Sequence, residues 1–179
     1  DEVVDEDMYV SAETFILNGT IKGDLFVVGR HVVINGILEG DLMAAAQDVT
    51  INGEAKDDVR VVGAVITLTE KAKVGDDLMA LSYSMEARNG SKIEGSTLGG
   101  SSQAFFGGEI AKNLTYSAKG IVIEGKVGKD VEVEVGSLND STPPLTSPFF
   151  GDLPDIPSIK GGLSIGEGAK IGGHLTYTS

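Results

Sequence analysis

The sequence predicts an all-β fold, a single-stranded parallel β-helix (β-solenoid) that is right-handed and three-sided, with about 17–19 residues per coil. Three observations predict it: a repeat of fixed length, alternation of apolar and polar residues within each repeat, and glycine-containing turns between the apolar runs. Three strands of about four to five residues, each ended by a turn, fill such a repeat. We expect about eight or nine coils.

The repeat begins at a polar residue that recurs in each copy. Intervals of 17 residues separate these positions, apart from two intervals of 19. The positions are Asp7, Asp24, Asp41, Asp58, Asp77, Ser96, Asn113 and Asp130, with a last copy at Leu163–Ser179. A unit this short excludes a propeller blade of about 40 residues and a βαβ unit. β-Hairpins joined by Asn-Gly turns are the competing interpretation, and the constant period favours the solenoid.

Alternation within the repeat predicts which side chains point into the core. The inward columns are Leu25, Val27, Val32, Ile34 and Leu38; Leu42, Ala44, Val49, Ile51 and Ala55; Val59, Val61, Ile66 and Leu68; and Leu114, Tyr116, Ile121, Ile123 and Val127. Asn-Gly pairs such as Asn35-Gly36 and Asn52-Gly53 follow the apolar runs. We expect a positive φ there, because glycine and asparagine tolerate it best. Coil lengths of 17 and 19 favour a right-handed solenoid, because left-handed ones are built from hexapeptides.

Composition narrows the function. The 179 residues include 27 acidic and 14 basic side chains, giving a formal net charge of −13. This argues against nucleic acid and anionic membranes as partners, since both require a basic surface. The absence of cysteine excludes disulfides and thiolate metal sites.

The prolines mark an interruption. All five lie within Pro143–Pro157. The sequence therefore divides into β-helix coils over residues 1–138, a proline-rich insertion over 139–157, and a final coil over 158–179. The final coil completes either its own chain or a neighbouring subunit, the latter by strand addition.

The polar residues that recur from coil to coil give little indication of a metal or catalytic site. Asp24, Asp41, Asp58 and Asp77 stack along one edge, so calcium is conceivable there. The favoured interpretation is structural, with each carboxylate accepting a backbone hydrogen bond. The histidines, His31 and His174, have no ligand partner at metal-site spacing. Coils this regular leave almost no inserted loop to form a catalytic cleft, so we expect neither enzyme activity nor a cofactor.

The motifs of the repeat resemble those of a known protein family. The recurring Gly-Asp-Leu steps, the Ile-Asn-Gly turns and the ending Leu163-Ser-Ile-Gly-Glu-Gly-Ala-Lys-Ile-Gly-Gly173 are similar to those of the bactofilins, polymer-forming cytoskeletal proteins. The resemblance implies a right-handed, three-sided β-helix that polymerises through its terminal coils without nucleotide. The chain has more coils than a typical member and an interrupting proline segment. It therefore looks more like surface-exposed or membrane-linked relatives, which implies an extracellular or cell-surface location, with cytoplasm as the alternative. An anchor to the membrane or cell envelope would lie in segments outside this chain.

Both ends of the predicted solenoid are apolar. Soluble solenoids normally end in polar, atypical repeats that prevent strand edges from pairing with other chains. The predicted polymer interface consists of Met8, Val10, Phe15 and Leu17 in the first coil and Leu163, Ile165, Ile171, Leu175 and Tyr177 in the last. The expected partner is another copy of the chain.

The alternative function is a monomeric surface adhesin or polysaccharide-binding module that uses one face of the solenoid. Tyr83, Phe105 and Phe106 are the aromatic residues expected to be exposed on such a face. The alternation breaks nearby, where Ser82, Ser84, Ser101 and Ser102 replace apolar residues. A filament subunit and a monomeric adhesin differ in their mass in solution.

Overall fold

The computed structural model describes residues 2–136 and 156–179, and every regular element in these ranges is a β-strand. None of these residues belongs to a helix able to cross a membrane. The strands stack into a parallel β-solenoid of about eight turns. The predicted fold class is therefore confirmed.

Ten-residue strands form most of the described solenoid. They are β2 (Met8–Leu17), β4 (Leu25–Ile34), β6 (Leu42–Ile51), β8 (Val59–Leu68), β10 (Leu78–Ala87), β12 (Thr97–Phe106) and β14 (Leu114–Ile123). Each begins directly after the polar residue that marks a repeat. Each pairs in parallel with the equivalent strand of the next coil. Parallel pairing excludes the hairpin interpretation, because hairpin strands are antiparallel.

Two-residue strands form a second sheet. They are β1 (Val3–Val4), β3 (Thr20–Ile21), β5 (Ile37–Leu38), β7 (Glu54–Ala55), β9 (Lys73–Val74), β11 (Lys92–Ile93), β13 (Glu109–Ile110), β15 (Lys126–Val127) and β18 (Lys170–Ile171). The second residue of each short strand from β3 to β15 is buried. Each coil consists of one long strand and the short strand that follows it. We number these coils from 1, which contains β2 and β3, to 7, which contains β14 and β15.

Each long strand bends at its middle and so covers two sides of the coil. In β4 the inward side chains change from Leu25 and Val27 to Val32 and Ile34, which breaks the two-residue period. Arg30, at the bend, has no ladder partner, whereas Gly29 and His31 do. We call the first half of each long strand the first face, the second half the second face, and the short strands the third face. The cross-section thus has three sides.

The predicted core is confirmed. None of the nineteen residues in the predicted inward columns is more than 6 % exposed. They form one continuous apolar column along the solenoid axis. Because strands of successive coils are about 4.8 Å apart, every inward side chain packs against its equivalents above and below.

The Asn-Gly turns differ from expectation. Among the described residues only Gly90 and Gly162 have a positive φ, and no other residue type does. Gly36 and Gly53 are required for a different reason, since a Cβ on either would collide with a backbone carbonyl of the preceding coil. Close approach between coils, and not a left-handed conformation, selects glycine at these turns.

The 19-residue coils contain a wider turn between the second and third faces. Four residues replace the usual two, and in coil 4 the N–H of Ala72 donates to the carbonyl of Thr69 at 3.0 Å. In coil 5 Ser91 and Arg88 form the equivalent bond. The extra residues form a turn outside the ladder, so the strands keep their register.

The proline-rich interruption falls within a coil. β16 (Val131–Val135) pairs with the first half of β14, and β17 (Gly162–Ile165) pairs with its second half. β16 and β17 therefore form the first and second faces of coil 8, which β18 completes. β19 (Leu175–Thr178) pairs with β16 and begins another coil. All these pairings are within the one chain. Phe149 and Phe150 of the proline-rich insertion lie outside the described residues.

Candidate interaction surfaces

A column of aspartates, the Asp spine, lies at the edge where each coil enters the first face. It consists of Asp7, Asp24, Asp41, Asp58 and Asp77. Each carboxylate Oδ1 accepts a hydrogen bond from the backbone N–H of the equivalent residue in the next coil, at 2.6–3.2 Å. Asn113 accepts the same bond from Asp130 at 3.2 Å. The predicted backbone hydrogen bonds of the Asp column are present, and they connect successive coils.

We predict that Asp58→Ala destabilises the solenoid by about 1–2 kcal/mol, because it leaves the Asp77 N–H without its acceptor. Asp58→Asn should retain most of the stability, since an amide oxygen already fills this role at Asn113. Asp57→Ala is the matched control, because Asp57 is exposed and its loss changes the charge equally. Urea unfolding of the three variants checks this. Equal losses for Asp58→Ala and Asp57→Ala would contradict it.

Carboxylates of adjacent turns also approach one another. Asp41, Asp57 and Asp58 form one cluster, and Asp58, Asp76 and Asp77 form another. Arg60 donates to Asp41 at 2.7 Å and to Asp58 at 2.6 Å. The hydrogen bond to Asp41 raises the pKa of Arg60. Arg60 thus contacts two of these five carboxylates.

A second ladder runs along the Asn-Gly turns. The Asn35 amide donates to Asn18 Oδ1 at 2.8 Å, and the Asn52 amide donates to Asn35 Oδ1 at 2.7 Å. On the second face, His31 Nδ1 lies 2.8 Å from the Asp48 carboxylate in the next coil. These contacts join neighbouring coils at equivalent positions. They therefore have the geometry of structural ladders.

The serines of coils 5 and 6 create a polar region inside the solenoid. Ser82 and Ser101 occupy inward positions and are buried, and Tyr116 enters from coil 7. Phe106 is 2 % exposed and packs edge-on against Tyr116 with ring centroids 5.0 Å apart. The expectation that Phe106 is exposed was wrong, because it continues the inward column of Ile34 and Ile51. Tyr83 and Phe105 are partly exposed.

The Tyr116 hydroxyl is buried without a hydrogen-bond partner among the described residues. Burial raises the pKa of Tyr116 to about 12. The nearby hydroxyls of Ser101 and Ser82 offset part of that rise, but neither is in hydrogen-bonding geometry with the phenol. Folding therefore favours the neutral phenol. Its contribution to stability is complete below the unfolded pKa of about 10 and is lost as pH rises through 12.

We predict that Tyr116→Phe is at least as stable as the wild type at pH 8, because it removes an unpaired buried hydroxyl. At pH 11 the variant should gain a further stability advantage of about 1.4 kcal/mol, since only the wild type must keep a phenol neutral. Urea unfolding of both proteins at the two pH values measures the difference. A gap that does not change with pH would contradict the assignment.

The predicted polymer interface lies at the two ends of the solenoid. At the first coil, Met8, Val10 and Phe15 are partly buried against the core and Leu17 is 8 % exposed. Met8, Phe15 and Leu17 line a depression of about 300 Å³. At the other end, Leu163 and Ile171 pack on the core, while Ile165, Leu175 and Tyr177 are 46 %, 42 % and 48 % exposed. β2 and β19 are the outermost strands of the long sheet. Each end thus combines apolar side chains with an open strand edge.

Sequence reasoning missed an apolar surface on the first face of coils 1–6. Two outward columns form it: Tyr9, Phe26, Met43, Arg60, Met79 and Leu98, and beside them Ser11, Val28, Ala45, Val62, Leu81 and Gly100. We call it the apolar face. It includes a shallow groove of about 600 Å³. The detectable signal was the loss of alternation in runs such as Leu25–Val28 and Leu78–Leu81, which place apolar side chains on both sides of the strand.

Residues 156–161, which precede β17, contact coil 6 beside the bend of its long strand. The Gln103 amide donates to the Pro157 carbonyl at 2.8 Å and accepts from the Ile159 N–H at 2.9 Å. Gln103 points outward in its strand, yet it is only 7 % exposed. Residues 156–161 thus pack along the side of the solenoid away from the apolar face.

Comparisons with known proteins give no further identification. No protein-family model matches the chain. No curated protein and no solved structure matches it either. The β-solenoid is consistent with a bactofilin-like fold, and the likeness to that family rests on the sequence motifs alone.

Proposed function

We propose that this chain is a structural protein that self-assembles end to end, through its terminal coils, into filaments that need no nucleotide. The observation that carries the proposal is the state of the two ends. Within the described residues, no strand pairs with the outer edge of β2 or of β19, and Ile165, Leu175 and Tyr177 remain exposed. An uncovered parallel edge is a template for another chain, and stacked coils extend it without new geometry.

The ends suit this role chemically. Leu175 and Tyr177 continue two inward columns of the first face. The equivalent side chains of coils 2 to 8 are buried, and in coil 6 the position equivalent to Tyr177 is Gly99. Leu175 and Tyr177 are exposed because none of the described strands pairs with the outer edge of β19. A neighbouring subunit would bury them as the next coil does elsewhere, and would pair the free N–H and C=O groups of the edge strand. The partner is another copy of the chain.

The bactofilin resemblance supports the same proposal and adds a location. Its surface-exposed relatives favour assembly at the cell surface or outside the cell, with attachment through segments outside this chain. No catalytic role belongs to the proposal, because the polar columns of the described residues form ladders between coils.

Electron microscopy of the purified chain tests the proposal. We expect unbranched filaments a few nanometres wide, with about 40 Å of filament length per subunit of eight coils. The same filaments should form in calcium and in chelator, since backbone N–H groups and Arg60 already contact the spine carboxylates. A uniform monomer under both conditions would overturn the proposal.

The second candidate is a monomeric binding module, and the apolar face is the observation that favours it. A sugar-binding platform there is poorly supported, because Tyr9 and Phe26 stack on each other with ring centroids 4.8 Å apart and planes 6° apart. Their ring faces are therefore directed along the solenoid axis and not outward. Mass in solution separates a monomeric module from a filament subunit.

A further inference from the structure

We propose that the apolar face is a lateral interface with a second copy of this chain, and that the two solenoids lie parallel in the pair. This interface is separate from end-to-end stacking, because it uses outward side chains and none of the residues of the predicted polymer interface. The occupant follows from the size pattern, the charge and the extent of the face.

The size pattern of the two columns favours a self-complementary pair. The column that starts at Tyr9 has large side chains, and the column that starts at Ser11 has smaller ones at five of its six positions. In a pair related by a two-fold axis along the solenoid, each column faces the other at the same coil. A large side chain of one copy then faces a smaller side chain of the other. Examples are Tyr9 with Ser11, Phe26 with Val28, Met43 with Ala45 and Leu98 with Gly100. Such an isologous contact lets the side chains of the two sheets interdigitate.

An antiparallel pair would fit poorly. It places each column against itself in reverse order, so Tyr9 would meet Leu98 and Phe26 would meet Met79. Large side chains would oppose large ones, and the small column would leave gaps that lose packing energy. The size pattern therefore selects the parallel arrangement.

Charge selects the same arrangement. The Asp spine borders the apolar face along the edge where the strands begin. An antiparallel pair would place the two spines side by side, whereas a parallel pair puts them on opposite edges. Each spine then lies beside the partner's corner column, by which we mean the residues at the bend of each long strand. These are Glu13, Arg30, Gln47, Ala64, Tyr83, Ser102 and Lys119. Within coils 1–6 that column has one cation and one anion, Arg30 and Glu13, so each spine faces no net negative charge there.

The face itself carries little net charge. Arg60 is its one charged side chain among the twelve positions, and its guanidinium is paired with Asp41 and Asp58 at the edge. The polar side chains Thr115, Ser117, Glu132 and Glu134 replace the apolar ones in coils 7 and 8. The apolar face thus ends at a defined coil. This fits a partner of matching length better than a membrane, which would also be repelled by the spine if anionic.

The extent of the face predicts a weak pair. It measures roughly 25 Å by 13 Å, or about 300 Å² in projection, which is enough to mark an interaction site. A standard stable interface buries about 800 Å² per partner, so a single pair should dissociate readily. Many such contacts would add together between two filaments. Cross-linking, which captures a transient pair, is therefore the appropriate test.

The natural chain has no cysteine, so introduced thiols report on single contacts. Met79→Cys and Leu81→Cys proteins, carrying tags of different size, are mixed and oxidised. A parallel pair brings these positions together and should give a several-fold higher heterodimer yield than Val28→Cys mixed with Leu81→Cys, the antiparallel combination. Adding Val62→Asp to both chains should suppress the product, and adding Thr115→Asp, on the same face beyond the apolar residues, should not. Higher salt should raise the yield, because each copy carries a charge of −13.

The outcomes separate the alternatives. The cross-links should persist when each chain also carries Tyr177→Asp, which removes an apolar side chain from the end, so failure of the lateral contact and failure of filament growth are distinguishable. Preferential cross-linking of the antiparallel combination would overturn the parallel arrangement. Equal, low yields from both combinations, with all variants folded by circular dichroism, would overturn the interface. Binding to phosphatidylcholine vesicles that Val62→Asp abolishes would replace the second copy with lipid.

Discussion

Replacement of Gly36 by alanine is expected to destabilise the solenoid by about 3 kcal/mol, a large effect for the addition of one methyl group. A Cβ at this position would lie against the Gly19 carbonyl oxygen and within 2.9 Å of the Asn18 carbonyl carbon. Both groups belong to the backbone of the preceding coil. They cannot move aside as a flexible side chain could.

The expected cost spreads beyond the turn. The N–H of Gly36 donates to Leu17 at 2.9 Å, and its carbonyl accepts from Glu54 at 3.0 Å. To make room for a methyl group, coils 1 and 2 must separate at this corner and weaken these bonds. Neighbouring rungs of the Asn ladder would lengthen as well. A single substitution thus strains three consecutive coils.

Gly136→Ala is the matched control. Gly136 also has no positive φ, and no atom of the described residues lies within 4 Å of a Cβ added there. We expect its stability to be unchanged or raised by up to about 1 kcal/mol, because alanine lowers the entropy of the unfolded chain. The midpoints of urea unfolding, followed by far-ultraviolet circular dichroism, compare the two variants. Similar midpoints would show that glycine at the Asn-Gly turns is dispensable.

The fold was predictable because its two determinants are both visible in the chain. Alternation sets which side chains enter the core, and the constant interval sets where each coil begins. Residues such as Leu25, Val32 and Ile51 could therefore be placed from the sequence. The conformation of Gly36 could not, because the contact that requires it is with a residue 17 positions away.

The surfaces were only partly predictable. The role of the Asp spine followed from its period, since equivalent residues in successive coils must be neighbours. The apolar face was missed because side chains such as Phe26 and Val28 continue an apolar run, and a run does not say which members point outward. Phe106 was misplaced for a related reason. The strand bends at Ser102, and beyond the bend the inward positions change from odd to even within the strand.

A charged side chain at either end of the solenoid is expected to abolish filament formation. Tyr177→Asp and Phe15→Asp each put a charge where the proposed stacking would bury an apolar side chain. Desolvating an unpaired carboxylate costs several kcal/mol, enough to prevent the contact at ordinary concentrations. Thr176→Asp and Thr14→Asp are the controls, because each places the same charge on the same strand at an exposed, outward position. Sedimentation should find pelleted polymer for the wild type and the controls only.

Mixing the two end variants reveals the polarity of the filament. If the ends stack head to tail, each variant alone is monomeric, and the mixture forms one capped dimer from the intact end of each chain. If like ends stack, each variant alone forms a dimer through its intact end, and mixing adds no new species. Native mass spectrometry distinguishes these results. Filaments from either variant alone would contradict stacking through the terminal coils, because each lacks one of the two contacts that continuous growth requires in both schemes.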